Sequence, residues 1–303
     1  MKEQLNIMIK KQQDEALKYF EEHAEKWRKL AKSSAYDKVN VIKQRNDFVL
    51  KVVADRKITD TALDVGCGTG DLVCEMASRG IKALGVDFAR EMIDLAEENA
   101  RNSNLLNAKF FCCSIFDFPF EPEKYDLISA NGFIEYISYA ELDRLFKSSY
   151  ESLKKEGSLV LGSRNRLFNI FSLNKFTQDE IVSNEIIALL LEAIQIMKSE
   201  HIADLIGFET APLQKEDKEH EITGIKVSTR YQFTPAQLAS MLHAKGFEPI
   251  EIYPIHIHGS FPKFKEKNPA VHVLIANFLQ EFAKNNACLI PQSSSFMIHG
   301  KKR

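Results

Sequence analysis

From residue 61 the chain alternates short apolar runs with amphipathic helical stretches, and this alternation decides the fold class. Strands are read at Thr61–Val65, Lys82–Val86, Ala108–Cys113, Tyr125–Ala130 and Ser158–Ser163. Helices are read between them, near Asp71–Arg79, Arg90–Ala100 and Tyr139–Lys155, with Gly80 and Gly157 standing where helix C-caps are expected. A strand that reaches the next strand through a helix cannot pair with it as a hairpin. The crossover makes the two parallel and lays helices over both faces of the sheet. The expectation is an α/β fold, three-layer αβα, doubly wound and mostly parallel.

The flanks follow other patterns. Leu17, Phe20, Ala24 and Trp27 make one apolar stripe, and Phe48, Val49, Val52 and Val53 make another, so residues 1–55 are read as an N-terminal helical segment. Residues 166–230 break the alternation. There Thr177 and Glu180 read as a capping box, and Val182, Ile186, Leu190, Ile194 and Met197 run down one helix face. The charged stretch Glu216–Glu221 reads as an exposed loop, and the whole segment as an inserted helical cap. The alternation resumes at Thr234, Pro235 and Gln237, an N-cap with proline at the first helical position and a capping-box partner. A strand at Glu248–Ile255, a helix at Ala270–Ala283 and a strand at Ser295–His299 follow. Residues 56–165 and 231–303 are thus the expected core.

Composition removes several function classes. The 303 residues carry 40 Lys plus Arg against 42 Asp plus Glu, a net charge of −2, so no polyanion partner is advertised and no nucleic acid is expected. No apolar run approaches the roughly 18 residues of a membrane span. The first residues mix Ile and Met with Lys and Glu and resemble no signal peptide, so a cytoplasmic location is expected. Cys67, Cys74, Cys112, Cys113 and Cys288 lack CxxC spacing, which fits a reducing compartment and gives no zinc cluster.

The stretch Leu63-Asp-Val-Gly-Cys-Gly-Thr-Gly-Asp-Leu72 joins the first strand to its helix. Glycines at 66, 68 and 70 remove side chains where the backbone must turn sharply and approach a ligand at the sheet's C-terminal edge. The second strand ends in Asp87, whose two oxygens can accept from a ribose diol, and Phe88 beside it can pack on a purine ring. Asp87 could instead only cap the helix beginning near Ala89; the glycine loop at the matching distance favours the ribose. A dinucleotide fingerprint needs a small residue at 71, which here is Asp. Asp64 and Asp71 repel a pyrophosphate but suit a ligand carrying an ammonium and a sulfonium.

Asp64-Val-Gly-Cys-Gly-Thr-Gly70, with Asp87 closing the second strand, resembles the class I S-adenosylmethionine-dependent methyltransferases. Phe118-Pro119-Phe120, Tyr125–Asn131 and Leu153–Leu161 are similar to later landmarks of that family. The resemblance implies a seven-stranded sheet and S-adenosyl-L-methionine as cofactor. It assigns the cofactor site to Asp64, Gly66, Cys67, Gly68, Thr69, Gly70, Asp87, Phe88, Met92, Ser114, Ile115, Phe116 and Asn131. Ser114 stands where relatives often carry an acid, so adenine is expected on main-chain groups near Ile115, or on Asp117. Ile134-Glu135-Tyr136 stands where relatives often read Leu-Glu-His, so no catalytic role comes from that position.

An oxygen acceptor wants a general base. His256 and His258, in Ile255-His-Ile-His-Gly259, are the candidates, and on an extended segment at most one of the two is expected to face the pocket. Alternating histidines could also hold a metal, but no third ligand lies nearby in sequence, and none is expected. Tyr136, Arg164, Asn165 and Arg230 are the candidate substrate contacts, with Arg166 beside them, and Tyr19, Trp27 and Tyr36 could close the cofactor site. The substrate is expected to be small: a sugar, nucleotide-sugar or secondary-metabolite hydroxyl. The competing readings are a nucleotide-dependent oxidoreductase and a non-catalytic S-adenosylmethionine-binding protein. Oligomeric state is not legible.

Overall fold

The computed structural model describes residues 14, 17–29, 38–199, 201–214 and 231–303. Seven strands, β1 (Thr61–Val65), β2 (Lys82–Asp87), β3 (Ala108–Cys112), β4 (Tyr125–Asn131), β5 (Leu153–Arg164), β6 (Phe247–Ile257) and β7 (Ser293–Lys302), form one sheet. Their order is β3-β2-β1-β4-β5-β7-β6, with β7 antiparallel to both neighbours and the remaining pairs parallel. The chain therefore runs outward from β1 to β3, then returns to start the other half at β4. The crevice above the C-terminal ends of β1 and β4 is the switch point where ligands settle in open α/β sheets.

Eleven helices surround the sheet among the described residues: α1 (17–29), α2 (Val41–Asp55), α3 (Asp71–Ser78), α4 (Arg90–Asn102), α5 (Tyr139–Ser152), α6 (Asn169–Ser172), α7 (Lys175–Val182), α8 (Ile186–Lys198), α9 (Pro235–Ala244), α10 (Pro262–Lys267) and α11 (Pro269–Gln280). The inner parallel strands β1 and β4 are buried on both faces, so they read as apolar runs, whereas the edge strand β3 is partly exposed, and two core clusters flank the sheet. One holds Phe48, Val49, Leu72, Met76 and Ile93, and the other Leu142, Phe146, Leu238, Leu242 and Phe247. The sequence signals at α9 hold in detail: Thr234 and Gln237 make a reciprocal capping box with Pro235 at N1.

Three expectations are corrected. The helix read to Lys155 ends at Ser152, and Leu153 onward is strand. Leu153 pairs with Tyr125, whereas Ser158 pairs with Leu127, so residues 154–157 bulge from the ladder and Gly157 is a bend inside β5 rather than a helix cap. A Cβ at 157 would meet the Lys154 carbonyl at 2.8 Å. Thr177 is not an N-cap either; it is the third helical residue of α7, boxed with Asn174. The stripe Val182, Leu190, Ile194 and Met197 faces outward, while Leu189, Glu192, Ala193 and Ile196 are buried. Helix α8 is apolar on both sides, and its inward side also carries the buried Glu192, whose carboxylate accepts from the backbone N–H of Ala236 at the start of α9.

Helices α6 to α8 lie in the segment between β5 and α9 and are clamped to the core by a buried pair. Nε and Nη2 of Arg166 donate to the two carboxylate oxygens of Glu180 at 2.9 and 2.7 Å, and Asn169 bridges Glu180 to Gln232. None of the helices among the described residues is long and apolar enough to cross a membrane.

Candidate functional site

A cavity of about 670 Å³ opens over the ends of β1 and β4. Its floor is the turn from β1 into α3. The backbone N–H groups of Gly66 and Cys67 both donate to the Val86 carbonyl, which folds the loop over the end of β2. Asp87 then fastens it: one oxygen accepts from the N–H of Gly68 and the other from Ala89, each at 3.0 Å. The two readings of Asp87 thus coexist, since a carboxylate that accepts one hydrogen bond on each oxygen retains a further acceptor site on each.

Gly68 has φ +50°, and a Cβ there would meet nothing within 4 Å, so the cavity comes right up to the backbone. Gly70 differs. Its φ is +74°, a Cβ would lie 2.7 Å from both Ala96 and Phe110, and it does not line the cavity. Its expected place among ligand-contacting residues is corrected to one of packing behind the loop.

The other residues assigned from sequence to the cofactor side do line the cavity: Asp64, Gly66, Cys67, Thr69, Asp87, Phe88, Met92, Ser114, Ile115, Phe116 and Asn131, with Asp71 among them. Asp117 does not. Burial pushes the Asp64 carboxyl up to about 7, against the pull of a 2.6 Å hydrogen bond from Ser129 and with the Asp87 charge adding to the rise. Burial also raises Asp87, and its backbone N–H donors oppose that. Both amide atoms of Asn131 are buried without a hydrogen-bond partner among the described residues. Helix α1 closes this end with aromatic rings. Phe20 stands edge-on to Phe88 and to Tyr136, and Trp27 lines the cavity with its indole N–H lacking a partner among the described residues. Tyr19 is buried beside these rings without lining the cavity, and Tyr36 lies outside the described residues.

The opposite wall is cationic. Arg164 lies 3.7 Å from the buried Glu135, and Arg45 of α2 donates to Ser295 while its Nε finds no partner among the described residues. Lys265 of α10 completes this wall, its ammonium held below its ordinary range by burial. Tyr136 and Arg164 line the cavity as expected, and Arg230 lies outside the described residues. Asn165 lines it too, but its amide is occupied: it donates to the carbonyls of Ile290 and Ser293 and accepts from Leu167. Asn165 therefore holds chain segments together. Arg166 serves the Glu180 pair and does not line the cavity.

The histidine expectations need two corrections. Both His256 and His258 line the cavity, with ring centroids 4.3 Å apart. His256 has φ +53°, and this left-handed residue breaks the strand alternation that would have sent the rings to opposite sides. A third imidazole, His272 of α11, meets them although it is sixteen residues away, and its Nε2 lies 2.9 Å from that of His256. Burial, first of all, drives His258 down to about 3 and His272 to about 4, with Lys265 adding to both, and takes His256 well below its usual range. The three rings are neutral at pH 7. Sequence reasoning missed Arg45, Lys265 and His272. No local motif marks them; Arg45 lies on α2 ahead of β1, and Lys265 and His272 lie on helices far downstream of the glycine loop.

Comparison with known proteins agrees with this architecture. The family model described as "Methyltransferase domain" matches residues 62–157. A ubiquinone biosynthesis O-methyltransferase of Coxiella burnetii is 29% identical over 109 residues, 36% of this chain and 45% of that protein. Its counterpart in Bartonella tribocorum is 32% identical over 105 residues, 34% and 41% of the two chains. A sphingolipid C9-methyltransferase of Gibberella zeae is 28% identical over 127 residues, 40% of this chain and 24% of that one. The chain spans less than half the length of these curated relatives. Among solved structures, magnesium protoporphyrin IX methyltransferase from Synechocystis, with bound S-adenosylhomocysteine, superposes with TM-score 0.56 at 14% identity, covering 95% of this chain and 98% of that one. The fold is that of the class I methyltransferases.

Proposed function

We propose that this chain is an S-adenosylmethionine-dependent methyltransferase that methylates an oxygen of a small molecule: a sugar, nucleotide-sugar or secondary metabolite. The observation that carries the reading is the loop at Gly66–Gly70. Its one open glycine, Gly68, faces a cavity and is tied to Asp87, whose carboxylate keeps acceptor capacity for a diol. The residues present fit the cofactor. Asp71 and Asp87 give the loop end acidic groups that suit a cationic ligand, and the same acids disfavour a dinucleotide's pyrophosphate. The unpartnered amide of Asn131 and Nε of Arg45 are buried polar groups that a ligand with amino, carboxylate and hydroxyl groups would satisfy.

When bound, S-adenosylmethionine supplies an electrophilic methyl on a sulfonium. The chain's own residues do the rest. Asp87 would hold the ribose end, and Phe20, Trp27, Phe88 and Tyr136 would exclude water above it. Alignment of acceptor and donor in one enclosed space supplies much of the rate, on the order of 7–11 kcal/mol in favourable cases. The proton of an acceptor hydroxyl leaves toward the neutral histidine wall, and Arg164 and Lys265 suit an acceptor that carries negative charge. The names of the Coxiella and Bartonella relatives support oxygen as the acceptor atom.

Calorimetry tests the reading. S-adenosylmethionine should bind the wild type and bind Asp87→Ala at least tenfold more weakly. Equal affinities, or saturable NADH binding with none for S-adenosylmethionine, would overturn it.

A further inference from the structure

We propose that His256, His258 and His272 form a binding site for a divalent transition metal, with zinc the expected ion, in the wall of the cavity. One ring nitrogen from each histidine lies within 4.8 Å of the other two, and all three residues are more than nine-tenths buried. In a tetrahedral zinc site with bonds of about 2.0–2.1 Å the ligand nitrogens stand roughly 3.3 Å apart, so the rings need to shift by only about an ångström or less.

Two observations separate this trio from histidines that merely pack. His258 presents two buried ring nitrogens, neither of which has a hydrogen-bond partner among the described residues. A buried imidazole with no partner is costly unless something binds it. Then there is the backbone. His256 takes a left-handed conformation inside β6, uncommon for a non-glycine residue, and this turn is what puts its ring beside that of His258.

The donor set selects the ion. Three neutral imidazoles without a carboxylate favour zinc and its borderline neighbours over magnesium or calcium, which prefer oxygen. No acid joins the group among the described residues, and Lys265 and Arg45 raise the positive potential around it. The bound ion therefore keeps its full charge and calls for an anionic fourth ligand. His256 and His258 both line the cavity, so that fourth position is open to it, as in catalytic rather than structural zinc sites. Hydroxide, or an ionised oxygen of the small molecule in the cavity, meets the requirement. With the ion bound, the three imidazole nitrogens are engaged as ligands, and a hydroxyl that binds the ion as the anion releases its proton to solvent water; the histidine wall takes that proton only where no ion is held.

The test uses the full chain, stripped with a chelator and titrated with zinc alone against a chromophoric zinc indicator. One equivalent should bind, and His258→Phe and His272→Gln should each weaken it at least a hundredfold, with circular dichroism showing that both variants fold. Should either variant fail to fold, cobalt substitution of the wild type decides: a visible spectrum of nitrogen and oxygen coordination supports the site, and an intense thiolate charge-transfer band places the ion on a cysteine and overturns it. Absence of stoichiometric zinc binding, or binding indifferent to folded variants, overturns it as well. No cofactor enters this experiment, so a chain that takes zinc but no S-adenosylmethionine would refute methyl transfer and leave the metal site standing; the converse result would do the reverse.

Discussion

Gly68 and Gly70 lie two residues apart in one loop, both with positive φ, yet alanine should act on them in different ways. A left-handed alanine costs roughly 1–2 kcal/mol, and the stiffer unfolded chain returns about 0.4–1 kcal/mol. At Gly68 that is the whole effect on stability, because the new methyl meets nothing within 4 Å; the expected loss is about 1 kcal/mol. The methyl does enter the space where the backbone faces the cavity, so cofactor affinity should fall by tenfold or more. At Gly70 the methyl would lie 2.7 Å from both Ala96 and Phe110. Overpacking adds about 1–3 kcal/mol there, for a total of roughly 2–4 kcal/mol. Any loss of affinity should follow only from the destabilised loop. Urea titration of each variant gives stability, and calorimetry with S-adenosylmethionine gives affinity. If Gly70→Ala is no less stable than Gly68→Ala, or if Gly68→Ala binds cofactor like the wild type, the division between a packing glycine and a ligand-facing one is wrong.

Two further outcomes follow from buried charges. Asp64 is raised to about 7 by burial, so the folded chain keeps a proton that the unfolded chain loses near pH 4. Its stabilising share is complete below about pH 4 and is lost as pH rises through 7, a difference on the order of 2–3 kcal/mol between pH 5 and pH 8. Asp64→Asn should flatten that part of the urea-midpoint profile, and an unchanged slope would show that Asp64 is not its source. Glu180→Ala leaves Arg166 buried without its partner and should cost about 3–5 kcal/mol, whereas replacing both with apolar residues of similar volume should recover most of it. Additive losses in the double variant would contradict the role of this pair.

The sheet and the residues around the glycine loop that line one end of the cavity were legible because their signals are local. A glycine loop needs its neighbours in sequence, and the next strand must end in its acid about twenty residues on; Asp87 does so. The opposite wall is assembled from distance. Arg45 reaches Ser295 across 250 residues, and His272 meets His256 only because α11 packs on β6. No periodicity records such meetings. The alternation rule failed at His256 because it assumes extended backbone, and one left-handed residue voids it. The outward stripe on α8 failed for another reason. With apolar residues all round, hydrophobicity alone does not choose a side, and the inward one is set by how α8 packs on the core and on the start of α9, where Glu192 accepts from Ala236. Asn165 was rightly placed at the cavity, but residue type alone did not reveal that its amide was already engaged.

Strand β6 precedes β7 in the chain yet reaches the sheet only through it. During synthesis the Phe247–Ile257 segment, with two of the three clustered histidines, emerges with no edge to dock on. It must wait until some thirty-five further residues have been made. The nascent protein can therefore assemble its β1–β4 half early while the histidine wall stays open, and interference with the last ten-residue strand, by truncation or a bulky fusion, should unfasten the histidine wall long before it disturbs the glycine turn.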